Sequence, residues 1–495
     1  MCIYGEAPAL SQWGLDAPLV LRQVAQVALA ARHGAKTAQK TQGKAKGACG
    51  HRMSETQKNG ILVHGSGSTA RATALALAQA RLPVMLADPS PAKTPEAAAK
   101  APHAAAKDWQ SVLALSPAAK TMLETLGIWQ RLDGPSAPIC DMAVFGDKTA
   151  FAANLGLGFA DAAPAPTKDG DATTLAVLAH IVARPALDRA VKNACDDALA
   201  ENRISRTAPL TAFDKSSGQA HFGDGRSQQL ALLVDCARRP ESWRRDASSR
   251  PLTHDYRAGA LVCALESDTP HGNQAIQIFT ADGPLALLPL PDAHQRALIW
   301  SLPRKRATAL GAIEAALFIY ELTKATDGQA GALRPITPRA VQPLSLALAE
   351  TYIDEKLCLL GEAAHIIHPL AGQGFNLALR DSAQLAEALY EARRLGLAFD
   401  APGELDSYQK LRRADGGVMA ATTHLLAEIF SGKAKTWTRP VARLGLAMAG
   451  IMAGKKPGNR LNRGFLAQAN GGISHDDLPR LMRGHDFEKA DFEEA

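Results

Sequence analysis

Short apolar runs alternate with helical stretches from residue 59 onwards in a pattern that is typical of an α/β protein. Residues 60–64 form one apolar run, residues 71–80 carry apolar side chains at helical spacing, and residues 83–88 form a second apolar run. Two strands joined by one helix within about 30 residues indicate a βαβ unit with parallel strands.

The rest of the 495-residue chain predicts a longer series of elements and contains no internal repeat. Alternating segments broken by Gly and Pro at 256–302 predict an antiparallel sheet, and the apolar segment Lys356–Leu360 predicts a buried strand. Strand pairs are predicted around 204–234. Helical patterns predict helices at 116–132, 185–202, 307–326, 375–393 and 403–470.

The formal net charge of +6 is concentrated at the start of the chain. Residues 1–52 hold seven Lys or Arg residues and two acidic residues, so the remainder is nearly neutral. A basic body that binds nucleic acid is therefore excluded. We expect residues 1–52 to be a disordered basic leader, a flexible basic arm or a mis-assigned start, with Met53 as the alternative first residue.

The seven cysteines are scattered and form no zinc-ligand pattern, which favours reduced thiols in a reducing compartment. The longest apolar run, Leu444–Gly454, is shorter than the roughly 18 residues of a spanning helix. It is interpreted as a buried helix or as an interfacial one.

A glycine-rich turn joins the first predicted strand to the first predicted helix. Gly65, Gly67 and Ala70 fit the pattern GxGxxG/A, in which small residues let a diphosphate approach the backbone and the helix N-terminus. Asp88 follows the second strand, where its carboxylate can accept hydrogen bonds from an adenosine ribose. The unit therefore predicts a site for NAD or FAD and leaves the choice between them open.

A second constellation reads GEAAHIIHPLAGQGFNLALRD at residues 361–381. It resembles the ubiquinone-biosynthesis hydroxylase branch of the FAD-dependent aromatic monooxygenases, which carries Gly-Asp/Asn-Ala-Ala-His, His-Pro, Ala-Gly-Gln-Gly-Phe/Met-Asn and Arg-Asp in this order. FTADGPLALLPL at 279–290 and RRAD at 412–415 add to the resemblance, which covers about residues 59–450.

The resemblance implies an α/β fold like that of para-hydroxybenzoate hydroxylase. A discontinuous, Rossmann-like FAD-binding domain would be combined with a mostly antiparallel substrate sheet and a helical C-terminus. The FAD-binding domain is assigned to residues 59–135, 171–250 and 351–400. The substrate-binding sheet domain is assigned to 136–170 and 251–350, and the C-terminal helices and tail to 401–495.

The two motifs supply the candidate cofactor-binding residues, which are Gly65, Gly67, Ala70, Asp88, Gly361, Glu362, Gly372, Gln373, Gly374 and Asn376. The resemblance places Glu362 at the ribityl side of the flavin and Pro369 near its reactive face. Leu285 and Leu287, on an apolar strand, become candidates for contact with a hydrophobic substrate. No protein acid or base is expected, because the flavin performs the oxygen chemistry.

His365 and His368 lie three residues apart, which raises the question of a metal site. They are placed on a predicted turn and have no third ligand, so no metal is expected there. Both are interpreted as packing or hydrogen-bonding groups beside the cofactor.

Four features of the family pattern are altered. Ser111 stands where an Arg contacts the cofactor phosphates, and Ala237-Arg238 stand where an Asp-Gly pair is usual. Glu362 replaces Asp or Asn, and the Arg expected before the 185–202 helix is displaced to Arg184. Arg184 is therefore a candidate to replace the displaced Arg, and Arg238 and Arg239 are candidates to compensate for the missing phosphate contact.

The leading hypothesis is an FAD-dependent monooxygenase that hydroxylates an aromatic ring of a ubiquinone precursor. It would use O2 and two electrons from NAD(P)H or a protein donor. The departures at Ser111 and Ala237 motivate an alternative, a non-catalytic or weakly FAD-binding subunit of a quinone-biosynthesis complex. Another flavoprotein of the same fold, such as a halogenase or a quinone-linked dehydrogenase, is a third hypothesis.

A polyprenylated aromatic molecule and other quinone-biosynthesis proteins are the implied partners. Because such a substrate resides in the bilayer, the helices around residues 437–452 are expected to contact the membrane surface. The expected location is the cytoplasm, with peripheral contact to the inner membrane, or the mitochondrial matrix side if the source is a eukaryote.

Overall fold

The computed structural model describes residues 59–88, 106–146, 177–238, 251–369, 372–400, 403–429 and 478–487. The expected leader at 1–52 and the expected membrane-contacting helices at 437–452 lie outside these ranges, as do residues 147–170 of the expected sheet domain.

The described strands are numbered in chain order. They are β1 (Ile61–His64), β2 (Val84–Ala87), β3 (Val112–Leu115), β4 (Ala137–Ile139), β5 (Asp141–Gly146), β6 (Ala179–Ala183), β7 (Ile204–Arg206), β8 (Leu210–Asp214), β9 (Gln219–Phe222), β10 (Ser227–Gln229), β11 (Leu232–Asp235), β12 (Leu252–Ser267), β13 (Gln274–Thr280), β14 (Gly283–Pro289), β15 (Gln295–Pro303), β16 (Leu333–Pro335), β17 (Ala340–Leu348), β18 (Ile353–Asp354), β19 (Leu357–Leu359) and β20 (His365–Ile366).

The described α-helices are α1 (Ser68–Gln79), α2 (Pro117–Thr125), α3 (Arg184–Ala200), α4 (Arg304–Ala312), α5 (Ala315–Thr326), α6 (Gln373–Arg394) and α7 (Glu404–Ile429). Short 3₁₀ helices occur at Ala106–Gln110, Trp129–Arg131, Gly361–Ala363 and Arg480–Arg483. No helix among these described segments has the length and apolarity to cross a membrane.

The first large sheet has six strands in the order β18-β19-β11-β1-β2-β7, and every pair except the β18–β19 hairpin is parallel. Its central strands are continuous apolar runs, because a parallel sheet is covered on both faces. The side chains of β1 and β11 are fully buried, and helices α1, α3 and α6 pack over them in one core cluster.

The second large sheet has the order β20-β17-β12-β15-β14-β13-β5, and β16 pairs with β12. Its strands are antiparallel except for the parallel β5–β13 pair. Helices α4 and α5 cover one face through Ala307, Leu310, Phe318 and Leu322. Two small antiparallel sheets, β3-β6-β4 and β10-β9-β8, complete the described strands.

The α/β class predicted from the sequence is confirmed, with a mostly antiparallel second sheet and the long helix α7 near the C-terminus. The domain boundaries drawn from the sequence stay a prediction.

Two predicted helices differ from the structure. The helix expected at 116–132 ends at Thr125, because Gly127 adopts a left-handed φ of 68°. The helix expected at 307–326 is two helices, since Ile313 and Glu314 between them are extended.

Candidate functional site

The candidate site lies at the carboxyl ends of the central parallel strands, where α/β sheets bind their ligands. Gly65 follows β1 and Gly361 follows β19, while Cys236 and Ala237 follow β11 between them. A Cβ on Gly65 would lie 3.2 Å from the amide nitrogen of Ala237, and its φ of 137° also favours glycine. These turns therefore pack as closely as backbones allow.

The N-terminus of α1 is open toward this edge. Gly67 is its N-cap with a φ of 98°, and no side chain caps the first turn. Among the described residues, no heavy atom outside the adjacent residues lies within 4 Å of the position that a Gly67 Cβ would take. This leaves space beside the amides. Ala70 is fully buried beneath them. Free amides at a helix N-terminus suit a diphosphate.

Asp88 lies one residue beyond β2 at the same edge, as the sequence predicted. Its Oδ2 accepts a bond from Nη2 of Arg71 on α1 at a distance of 2.6 Å. The ion pair fixes the direction of the carboxylate toward the start of α1.

The second motif folds back onto the first. Gly361 has a φ of 61°, and a Cβ there would lie 2.8 Å from Thr69 on α1. Gly372 is the N-cap of α6 with a φ of 63° and no side-chain cap, and its amide donates to the carbonyl of Pro369. No heavy atom of the residues that the structure describes, apart from the neighbouring backbone, lies within 4 Å of the position that a Gly374 Cβ would take. The N-terminus of α6 is therefore a second helix N-terminus without a side-chain cap, and there is room for a ligand beside Gly374.

Three other predicted residues take different positions. Asn376 is buried and clamps the start of α2, because its Oδ1 accepts from the Ser116 amide and its Nδ2 donates to the Ala114 carbonyl. Gln373 is buried in the first turn of α6, whereas Glu362 is exposed. Asn376 therefore contributes to the site by fixing its frame.

Arg184 lies next to the position where the family pattern has an Arg. The amide of Arg184 donates to the carbonyl of Ser111 at 2.9 Å, so the two residues are neighbours in space. Asp188, one turn further along α3, accepts a bond from the Ser68 hydroxyl and lies 3.9 Å from Nε of Arg184. The guanidinium of Arg184 is thus beside the first turn of α1. Of the other two candidates, Arg238 is exposed beyond β11 and Arg239 lies outside the described residues.

A buried ionic network, which sequence reasoning did not assign, supports the second motif. Asp381 accepts from Nε2 of His365 at 2.6 Å, from Nε of Arg412 at 2.7 Å and from the Gly361 amide at 3.2 Å. Burial opposes ionisation of Asp381, but the charges of His365 and Arg412 hold its pKa at about 2. The signal in the sequence was the Arg-Asp pair at 380–381 together with RRAD at 412–415.

His368 is buried and contacts the ring of Tyr256, with 5.0 Å between the ring centroids. Burial, with a smaller contribution from His424, lowers the pKa of His368 to about 4. His365 and His368 therefore face different partners, and they are not part of a metal cluster in the described part of the chain.

Leu285 and Leu287 do not face the site. Both are fully buried in the core cluster under α4 and α5, where Leu285 pairs across the sheet with Trp300. The alternate side chains Ala286 and Leu288 are half-buried on the opposite face. Ala286 pairs with Ile299, which packs in one cluster with Ile367 and Leu377 of the second motif.

The arrangement fits a dinucleotide with a flat ring. Two uncapped helix N-termini offer amide donors, and the space beside Gly67 and Gly374 would be filled by any side chain. Such donors stabilise negative charge on a diphosphate and on a reduced flavin ring.

Comparisons with known proteins agree with this geometry. A family model described as an FAD binding domain matches residues 250–421. The chain is 33% identical to ubiquinone hydroxylase UbiL of Rhodospirillum rubrum over 429 residues, which are 86% of this chain and 92% of that protein. It is 29% identical over 277 residues to the mitochondrial ubiquinone biosynthesis monooxygenase COQ6 of Homo sapiens, covering 48% and 59% of the two chains.

Among solved structures, p-nitrophenol 4-monooxygenase PnpA from Pseudomonas putida DLL-E4 has a TM-score of 0.59. The match covers 84% of this chain and 99% of that one, at 15% sequence identity. Similarity at this level of identity shows a shared fold.

Proposed function

The chain belongs to the ubiquinone-biosynthesis hydroxylases, a branch of the FAD-dependent aromatic monooxygenases, and from this premise we propose how its residues bind cofactor and substrate. The enzyme hydroxylates an aromatic ring of a ubiquinone precursor with O2 and two external electrons. The function rests on the similarity to UbiL over nearly the whole of both chains. FAD, when bound, supplies the oxygen chemistry, and the protein supplies binding and orientation.

The cofactor diphosphate binds at the first turn of α1, beside Gly67. Arg184 supplies the positive charge that Ser111 cannot, because both residues meet at one backbone hydrogen bond. Asp88, oriented by Arg71, accepts from the ribose. The N-terminus of α6 holds positive potential beside the ring, which favours its reduced, negatively charged form. Pro369 closes the turn at that edge.

The substrate lies against the face of the second sheet that looks toward Ile367 and Leu377. Four half-buried side chains of this face form an apolar patch: Val262, Ala286, Leu288 and Ile299. Gln277 and Gln295 are half-buried polar side chains on the same face. Half-buried apolar surface suits a polyprenylated phenol, whose ring and tail both lose contact with water on binding. This face is the single observation that carries the assignment of the substrate class.

NAD(P)H or a protein donor supplies the electrons. The enzyme works in the cytoplasm at the inner membrane, or on the matrix side in a mitochondrion, together with other quinone-biosynthesis proteins. A membrane-bound substrate and the mitochondrial relative support this placement.

The substrate face is tested by Ala286→Phe. The added ring occupies the apolar face, so we expect KM for a polyprenylated phenol to rise at least tenfold while the flavin spectrum is unchanged. Turnover is measured as substrate-dependent oxidation of reductant, with detection of the ring-hydroxylated product by mass spectrometry.

Ala212→Phe is the matched control, because Ala212 is exposed on β8 of a different sheet. Unchanged kinetics in Ala286→Phe would place the substrate elsewhere. A full-chain protein that binds FAD but hydroxylates no aromatic ring would overturn the function itself.

A further inference from the structure

A second group of side chains with metal-binding chemistry lies apart from the glycine turns. His254 on β12 and His424 and Glu428 on α7 each offer one ligand atom, and these atoms lie within 4.8 Å of one another. Nε2 of His254 is 3.6 Å from Oε1 of Glu428. We call these three residues the His-His-Glu cluster.

The local structure explains why the three side chains converge. His424 and Glu428 are four residues apart on one helix, so they share a face. His254 reaches that face from the sheet, and its ring meets the His424 ring edge to face with 5.2 Å between centroids. The cluster therefore joins α7 to β12.

His424 has a polar atom that the described part of the chain does not satisfy. The residue is fully buried, and its Nδ1 lies 3.1 Å from the hydroxyl of Tyr256. Its Nε2 has no hydrogen-bond partner among the described residues. A buried nitrogen without a partner is costly and calls for an unseen water or ion.

We propose that the His-His-Glu cluster binds a divalent transition-metal cation, with Zn²⁺ as the ion to test. Two imidazoles and one carboxylate are the donor set that such ions take in proteins, with a fourth position left for water. Tetrahedral ligands lie roughly 3.3 Å apart around Zn²⁺, so the three groups must close by about an ångström. His254 and Glu428 are only half-buried and can make that movement.

Tyr256 completes the arrangement around the ion. With the ion on Nε2 of His424, the proton is on Nδ1 and is donated to the Tyr256 hydroxyl, which holds the ring in place as outer groups do for metal-binding histidines. Binding of the cation requires the neutral form of the His424 ring, whose Nε2 then supplies a lone pair.

The bound ion fastens α7 to the substrate sheet. The Tyr256 ring that contacts His424 also contacts His368. The proposed ion site is therefore linked through Tyr256 to His368, the residue before Pro369. This inference uses none of the residues assigned to cofactor or substrate and stands apart from the proposed function.

The experiment is a calorimetric titration of the FAD-loaded full chain, freed of metal by a chelator, with ZnCl₂. We expect the wild type to bind one Zn²⁺ per chain. In the double variant His254→Gln/Glu428→Gln, this binding should be lost or at least tenfold weaker. Saturating Zn²⁺ should raise the melting temperature of the wild type by roughly 3 °C and leave the double variant unchanged. His221→Gln is the matched control, because His221 is an exposed histidine on a different sheet.

X-ray absorption of the Zn²⁺-loaded wild type gives a readout that does not depend on any variant folding. Two imidazole nitrogens and one carboxylate oxygen at about 2.0 Å support the proposal. Equal zinc binding by the wild type and the double variant, a sulfur-rich shell, or no binding by the wild type at millimolar ZnCl₂ would each overturn it.

Discussion

Arg184 shows how one residue can move along the chain and still reach the same place in space. The family pattern expects an Arg at the position of Ser111, and the structure brings Arg184 to that residue through a backbone hydrogen bond. The guanidinium is half exposed and only loosely paired with Asp188. It is therefore available for an incoming diphosphate.

Arg184→Gln should weaken FAD binding roughly tenfold. One charge-assisted hydrogen bond to a phosphate contributes about 1.5–3 kcal/mol, and the exposure of the side chain favours the lower end. The measurement is the dissociation constant of FAD by flavin fluorescence.

Lys192→Gln is the matched control for this substitution, because Lys192 also makes an i, i+4 ion pair on α3 but lies further along the helix. Equal affinities in the two variants would show that another residue holds the phosphates.

His368 makes stability depend on pH. Its pKa is about 4 in the folded protein and 6.5 as the ordinary value, so only the unfolded chain takes up its proton between these limits. The contribution of His368 to the free energy of unfolding is therefore fully present above pH 6.5, and it is lost as the pH is lowered toward 4. This residue alone should remove about 2 kcal/mol between pH 7 and pH 5.

Urea unfolding of His368→Gln at both pH values checks that prediction. The variant should lose this part of the pH dependence, whereas His221→Gln, at an exposed site, should keep it. The same difference between pH 7 and pH 5 in wild type and His368→Gln would assign the acid sensitivity to other groups.

At the scale of secondary-structure elements, Asp381 on α6 holds three other elements in place. It joins the 3₁₀ turn at Gly361, strand β20 through His365 and helix α7 through Arg412. All of these contacts are buried, so each partner depends on the charge of Asp381.

Asp381→Asn should lower the free energy of unfolding by about 3–5 kcal/mol, because it leaves the charge of Arg412 only partly compensated in the interior. Urea unfolding at pH 7 measures the loss. Asp400→Asn, which breaks the half-buried pair with Lys356, is the control and should cost far less. Similar losses in both variants would contradict a bracing role for Asp381.

Strand β14 shows what a sequence pattern can and cannot predict. The run at 279–290 predicted a strand in an apolar environment, and the strand is present at Gly283–Pro289. Both faces of this strand are apolar, so alternation could not tell which face looks toward the site. The pattern therefore could not separate Leu285 and Leu287 from Ala286 and Leu288 as candidates for contact with the substrate.

At the scale of the whole molecule, the site is assembled from segments that are far apart in the chain. Gly65, Arg184 and the pair of Gly361 and Gly374 come from three such segments. Local motifs predicted the glycine turns, since each motif is contained in one segment. They could not predict that Ser111 meets Arg184, or that His254 meets His424, because those contacts depend on sheet order.

A ligand that touches all of these segments should stabilise the entire chain. FAD at a hundred times its dissociation constant should add about 2.7 kcal/mol to the free energy of unfolding. Gly374→Arg should abolish both this gain and the visible flavin band, since its side chain enters the open space beside α6.

Gly223→Arg is the control for that variant, because Gly223 is exposed on a turn of the β8–β10 sheet. A full flavin band in Gly374→Arg would place the ring away from the start of α6.

The order β18-β19-β11-β1-β2-β7 has a consequence for biosynthesis. Strand β1 lies in the middle of the sheet, yet β11 and β19 are translated long after it. At about 5–20 residues per second, a ribosome needs roughly 9–34 s to travel from Ile61 to Leu232, the first residue of β11. During that time the edge of β1 that will pair with β11 is unprotected in the nascent chain. The emerging polypeptide is therefore a client for chaperones, and cofactor loading follows translation of most of the protein.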